Sequence, residues 1–331
     1  MKKKKIIIAM SIILAALLSF MATYLIIGSQ KSTEKETRKD TNKKQEQEKI
    51  DYDVMYEGKK YTYNKDLQTV LFMGVDNKDK MELKEEAGFS GQTDSLLLLV
   101  MNKTTKSTQL ISISRDSMVE VKVYGLSGDY VGNTKAQIAT QYAYGDGEKR
   151  SAKLTKDTVQ AMMYDVPISS YITLDIAGVS DIVEALGPIT LTVGGDYTDI
   201  DPMFKEGETI TLNGEMAEKY VQKRDTKKDG SNNQRMERQS EFIKALFETI
   251  GSKGAGTLFN KVYQVADPYL VTDMSVEALK NLSNYEIKDE IIKVPGTDVT
   301  GEAAKSGHDE YYLDDKGLYE LILKEFYVEV K

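Results

Sequence analysis

The sequence predicts an α/β fold class, and three observations predict it. Thr69–Val75 is a near-continuous apolar run, as expected of a strand buried on both faces. Ser95–Met101 and Ser107–Ser114 are two more strand-like runs, separated by a short turn at Asn102–Lys106. From Lys153 onward, helical and strand-like periodicities alternate along the chain.

The elements follow in order. Met1-Lys2-Lys3-Lys4-Lys5 precedes an uncharged run, Ile6–Ile27, of 22 residues. A membrane-spanning helix needs about 20. The stretch after it, Gly28–Lys31, offers no small-x-small cleavage site, so residues 1–28 read as an uncleaved anchor. The lysines set its orientation, with the N-terminus cytoplasmic and the bulk of the chain outside. Residues 29–66 are polar, charged and proline-free, and read as a linker. Globular sequence starts at residue 67.

Asp76 follows the first strand at its C-terminal end, where ligands of open α/β sheets gather. Lys78–Gly91 reads as a charged loop. If the next hairpin turns at Thr104-Thr105, Asp94 and Arg115 emerge opposite each other at one sheet edge. Either a surface ion pair or an acid for a metal beside a base for a phosphate satisfies that placement. A polar loop follows, then QIATQYAYGDG (Gln137–Gly147). Helices are expected at 153–164, 177–186, 214–224, 258–265, 275–282 and 316–326, with strands at 169–174, 189–193, 206–212 and 290–294.

Tyr220–Gln239 concentrates Lys223, Arg224, Arg235 and Arg238 in an otherwise acidic chain. Either Asn232 or Asn233 is the expected N-cap of the helix that follows. Arg235, Arg238, Gln239, Phe242 and Leu246 then share one face. Arginines at a helix start oppose the macrodipole, at roughly 0.3–1 kcal/mol each, unless an anion joins them. The alternative is pairing with Glu237 and Glu241.

Composition removes several chemistries. There is no cysteine, hence no disulfide or thiol catalysis. His308 is the one histidine and sits in a polar stretch, which argues against a Ser-His-Asp triad or a histidine zinc site. Net charge is −8, and Lys2–Lys5 contribute +4, leaving −12 for the rest. Such a body is wrong for nucleic acid. The remaining reagents are carboxylates (Asp76, Asp94, Asp116) and arginines (Arg115, Arg224, Arg235, Arg238). Hard carboxylates suit Mg²⁺ or Mn²⁺, and guanidinium forks suit phosphate oxygens. Together they serve phosphoryl or phosphosugar transfer.

Seven segments in order resemble the LytR-CpsA-Psr family: VLFMGVD (Val70–Asp76), TDSLLLLVMN (Thr93–Asn102), ISISRDSMV (Ile111–Val119), YAYGDG (Tyr142–Gly147), ITLDIAGVSDIVEALGPITLTV (Ile172–Val193), LNGEMAEKYVQKRD (Leu212–Asp225) and RMERQ (Arg235–Gln239). The resemblance implies a mixed central sheet with helices on both faces and an apolar groove for a lipid tail. It implies a catalytic domain over residues 67–250, with 251–331 as an α/β extension packed on it. The implied activity takes a glycopolymer (teichoic acid, capsule or similar) from a polyprenyl-pyrophosphate carrier and joins it to peptidoglycan, outside the cell membrane.

The resemblance also implies residue roles. Asp76 and Asp94 match acids that hold Mg²⁺ (or Mn²⁺). Arg115, Arg224, Arg235 and Arg238 match pyrophosphate-binding arginines, with Gln239 beside them. Asp94 and Asp116 are the candidates for a base. Where the family often carries arginine, this chain has Lys78, Gln92 and Gln222. Lysine does not replace arginine at a bidentate site. Those departures leave a second reading open, a non-catalytic polyprenyl-phosphate binder or wall-assembly scaffold.

Overall fold

A computed structural model of the chain describes residues 53–75, 91–224, 231–253, 257–300, 304 and 307–330. The expected anchor, Ile6–Ile27, lies outside these residues, as do Asp76 and Lys78. Among the described residues no helix is long and apolar enough to cross a membrane.

The described chain opens with a correction. Strands β1 (Val54–Tyr56) and β2 (Lys59–Tyr63) form a hairpin inside the expected linker. Its turn, Glu57-Gly58, has φ of 47° and 79°, the left-handed pair that a tight hairpin needs. The strands are short and mostly half-buried, and Lys59, Lys60 and the charged residues around them mask the signal of Val54, Tyr56, Tyr61 and Tyr63. Next come β3 (Leu67–Val75), β4 (Thr93–Asn102) and β5 (Ser107–Ile113). The expected polar loop after Ser117 is a second hairpin, β6 (Met118–Tyr124) with β7 (Tyr130–Gln137). Its Val119-Val121-Val123 alternation carries the strand signal, which the charged residues between them obscure.

Helix α1 (Lys149–Met162) starts where Asp146 accepts the backbone N–H groups of Glu148, at 2.8 Å, and Arg150, at 3.0 Å. The YAYGDG segment is thus a helix-starting device. Strand β8 (Ser170–Asp175), helix α2 (Val179–Leu186) and the ribbon β9 (Ile189–Thr192) with β10 (Thr209–Leu212) follow. Asn213 caps helix α3 (Gly214–Gln222) by accepting from Met216 N at 2.9 Å. Helix α4 (Ser231–Lys253) is the longest described, at 23 residues. Asn232 and Asn233 lie within its first turn and do not cap it, and it runs past Gly251. Then come α5 (Thr257–Ala266), β11 (Leu270–Thr272), α6 (Val276–Leu282), β12 (Glu286–Lys293), β13 (Gly296–Val299), β14 (Glu310–Leu313), α7 (Asp315–Phe326) and β15 (Tyr327–Val330). Strand β15 closes a small sheet against β2.

The central sheet has six strands in the order β11-β8-β3-β4-β5-β12. It is mixed: β3 pairs in parallel with β8, β5 with β12, and the remaining neighbours are antiparallel. Both edges come from the chain beyond Gly251. Alternate residues of β3 and β4 enter two separate cores. Val70, Phe72, Leu97 and Leu99 pack with α2, α3, α4, α5 and α6. Leu71, Met73, Leu96 and Leu98 pack with α1 and α7. Burial on both faces explains the unbroken apolar run.

Candidate active site

The β4–β5 register pairs Leu96 with Ile113 and Leu99 with Leu110 around the predicted turn. Two residues further, Asp94 and Arg115 meet. Arg115 Nη1 donates to Asp94 Oδ1, and Arg115 Nη2 donates to Gln92 Oε1 at 2.5 Å. Arg235, in the first turn and a half of α4, brings Nη2 to 3.1 Å from the same Asp94 oxygen. One carboxylate, 5% exposed, therefore holds two guanidiniums. The arginines do not take the alternative partners. Glu237 pairs with Lys293 at 2.5 Å, and Glu241 receives the Tyr197 hydroxyl at 3.2 Å and the Tyr220 hydroxyl.

Asn232 joins this cluster to the SRDS turn. Its Nδ2 donates to Asp116 Oδ2 at 2.6 Å, while its Oδ1 accepts from Arg235 Nη2 at 3.0 Å and Arg224 Nη1 at 3.3 Å. Gln137 Nε2 donates to the other Asp116 oxygen at 2.9 Å. Burial pushes the Asp116 carboxyl up to about 6, against the pull of Arg115 and the Asn232 hydrogen bond. With both oxygens held by amides, Asp116 orients the turn and is badly placed to act as a base. Asn232 and Gln137 escaped sequence reasoning because amides carry no charge signal.

Arg238 and Gln239 part from Arg235 along α4. Residues three and four positions on lie on opposite flanks of one face. Arg238, 1% exposed, donates Nη2 to Lys223 O and lies 5.2 Å over the Tyr197 ring. Its Nε and Nη1 have no hydrogen-bond partner among the described residues. It does not join Asp94, which corrects its expected place among the clustered arginines. Arg224 is exposed and, among the described residues, reaches the cluster through Asn232. Gln239 Nε2 donates to Val221 O at 3.1 Å, and its Oε1 has no partner among the described residues.

Gln239 and Ser95, neighbours in sequence and helix turn of Arg235 and Asp94, line a narrow apolar gap with Gly74, Phe72 and Leu174. Phe72 and Leu174 also line a larger cavity of about 110 Å³ between the sheet and helices α2, α4, α5 and α6. Its walls are Leu, Ile, Val, Phe and Ala side chains apart from Tyr263 and Ser283. The gap and the cavity share Phe72 and Leu174 as walls and together form the apolar passage, which adjoins the cluster through Ser95, next to Asp94, and Gln239, one turn from Arg235.

Metal ligation is a matter of donor chemistry. Among the described residues no group of three or more Asp, Glu or His side chains is placed to hold a cation. Asp94 supplies one hard carboxylate, and Asp76 follows Val75, whose strand partner is Thr93. Mg²⁺ is commonly held by one or two carboxylates plus substrate phosphates, and Asp94 is a donor of the kind such a substrate-completed site uses.

The LytR_cpsA_psr family model matches residues 22–325. The chain belongs to the LytR_cpsA_psr family. It is 29% identical over 255 residues to the polyisoprenyl-teichoic acid–peptidoglycan teichoic acid transferase TagU of Bacillus licheniformis, covering 76% of this chain and 74% of that protein. It is 27% identical to biofilm regulatory protein A of Streptococcus mutans, over 69% of this chain and 58% of that one. Among solved structures, B. subtilis TagU aligns at TM-score 0.55 and 25% identity, covering 78% of this chain and 95% of that chain. TagT bound to LI-WTA aligns at TM-score 0.57 and 24% identity, over 79% and 90%. The mixed α/β sheet of this LytR_cpsA_psr member is the fold of those structures.

Proposed function

We propose that the chain is a membrane-anchored, extracytoplasmic phosphotransferase that moves a polyprenyl-pyrophosphate-linked glycopolymer, of the teichoic acid type, onto peptidoglycan. The observation that carries this reading is the buried Asp94–Arg115–Arg235 cluster adjoining an apolar passage. An amphiphile with a long hydrocarbon tail and an anionic pyrophosphate head matches both halves. The relatives named as teichoic acid transferases support the substrate class. The uncharged run Ile6–Ile27 supports anchoring, with the catalytic part outside.

In this reading Arg115 and Arg235 bind the pyrophosphate oxygens, and Arg224 approaches from the rim. A peptidoglycan hydroxyl attacks the phosphorus that carries the sugar. The new O–P bond forms as the bridging P–O bond breaks, and polyprenyl phosphate leaves with its charge neutralised by the arginines. The hydroxyl proton passes to Asp94 Oδ2, the oxygen that neither guanidinium holds, both being on Oδ1. Asp116 and Gln92 hold the arginine geometry. Asp94 and Asp76 would hold a divalent cation such as Mg²⁺, which supplies Lewis-acid charge neutralisation at the phosphates when bound.

The test uses the full chain in detergent with a short lipid-linked glycan donor and a peptidoglycan oligomer, products being read by mass spectrometry. A glycan–peptidoglycan adduct with release of polyprenyl phosphate is expected. Lipid binding with no adduct across several donors would sink the transferase reading.

A further inference from the structure

Helix α4 separates two unlike spaces. One flank, through Phe242, Ile243 and Leu246, borders the apolar passage. The other borders a cleft of about 350 Å³ that begins at Ser114, next to Arg115, and at Asn233, next to Asn232. That cleft shares Glu241 and Ile291 with a second of about 540 Å³, which shares Glu248 and Asp289 with a third of about 360 Å³. The three make one groove along α4 from Asn233 to Gly251. At 1.5 Å per residue it runs roughly 27 Å, room for several sugar rings.

Its chemistry differs from the passage. Serine hydroxyls line its start and the threonine hydroxyls of β9 and β10 its middle. Two ion pairs cross from α4 to β12: Glu237 with Lys293 at 2.5 Å, and Lys244 with Asp289 at 3.8 Å. Lys293 and Asp289 are exposed, and pairs of this kind contribute about 0–1 kcal/mol, so a ligand displaces them at little cost. Carboxylates exceed lysines along the walls, with Glu237, Glu241, Glu248, Glu286, Asp289 and Asp298 against Lys244 and Lys293. A polyanionic glycopolymer is repelled by such a lining, whereas a hydroxyl- and amide-rich glycan strand is not.

We propose that this groove is the acceptor subsite, which holds a peptidoglycan glycan strand with its reacting hydroxyl at the Ser114 end. The proposal rests on the transferase reading above. Donor lipid and acceptor sugar then converge on the cluster from opposite flanks of α4.

The test uses the full chain and two variants at exposed positions of the first cleft, Asp298→Trp and Lys293→Ala. Binding of a lipid-free peptidoglycan oligomer is titrated calorimetrically, and the KM of each substrate is measured by adduct formation. Oligomer affinity is expected to fall tenfold or more in Asp298→Trp and severalfold in Lys293→Ala. The acceptor KM rises in parallel, with donor KM and kcat within twofold. Unchanged oligomer binding in both variants, or a rise in donor KM instead, overturns the subsite. Failure of the wild type to form adduct with any donor strikes the transferase reading, while the oligomer titration still decides the groove.

Discussion

Asn232 donates its side-chain amide to Asp116 across 116 residues of sequence, at 2.6 Å, and this bond fixes the start of α4 against the SRDS turn. The same side chain turns its oxygen to Arg224 and Arg235. A neutral amide suits the place because it satisfies an anion on one side and cations on the other. Asn232→Ala leaves Asp116 Oδ2 without this donor in a buried position, a loss of about 1–3 kcal/mol. Transfer is expected to fall at least tenfold, with weaker lipid-pyrophosphate binding. Asn232→Asp places a second carboxylate beside Asp116 and is expected to be less stable than the alanine variant at pH 7. Thermal unfolding and donor titration of both variants check this.

Arg235 and Arg115 share one oxygen of Asp94, so each is expected to matter separately. Removal of either leaves the other to keep the carboxylate paired, and the domain stays folded. A lost preorganised charge at a phosphoryl-transfer site costs on the order of 10²–10³-fold in rate. Arg115→Lys is not expected to rescue, because one ammonium does not reach Asp94 and Gln92 with the fork geometry that a guanidinium supplies. Circular dichroism with adduct assays on Arg115→Ala, Arg115→Lys and Arg235→Ala measures both halves; full transfer by any of them would falsify the assigned role.

The Asp116 carboxyl is pushed up from 3.8 to about 6, chiefly by burial. The folded state therefore keeps a proton that the unfolded chain has released between those values. Stability falls as pH rises from about 4 to about 6 and levels off above, by on the order of 3 kcal/mol from this group. Asp116→Asn removes that slope. Urea unfolding of the wild type and of the variant at pH 4, 5, 6 and 7 reads the difference, and parallel curves for the two proteins would contradict it.

The sequence disclosed the parts of this fold whose signals are local. The β4–β5 register followed from one turn, and the register delivered Asp94 to Arg115. Runs buried on both faces announced β3 and β4. The edges were hidden. Strand β12 reads Glu-Ile-Lys-Asp-Glu-Ile-Ile-Lys and pairs with β5 through an irregular register, so its charges mask its place. At the site, charge revealed the arginines but not their destinations. Arg235 and Arg238 stand in one motif, yet Tyr197 and the Lys223 carbonyl draw Arg238 away. Those partners are set by the packing of α3 and of the loop that carries Tyr197, which no local pattern encodes. Gln92, where an arginine was expected from the family, turns out to accept from Arg115, and so its neutrality serves the cluster.

The apolar cavity gives the last expectation. Ala266 lines it at the end of α5 and is only partly buried, so a larger side chain there enters the cavity without displacing the core. Ala266→Trp is expected to fill the space that a long tail requires while leaving Asp94, Arg115 and Arg235 in place. Donors with long polyprenyl chains should then bind at least tenfold more weakly. Donors truncated to one or two isoprene units, which rely on the pyrophosphate contacts, should bind as before. Affinities for a graded series of chain lengths separate the two halves of the site. Equal loss for short and long donors would mean that the cavity is not where the tail resides.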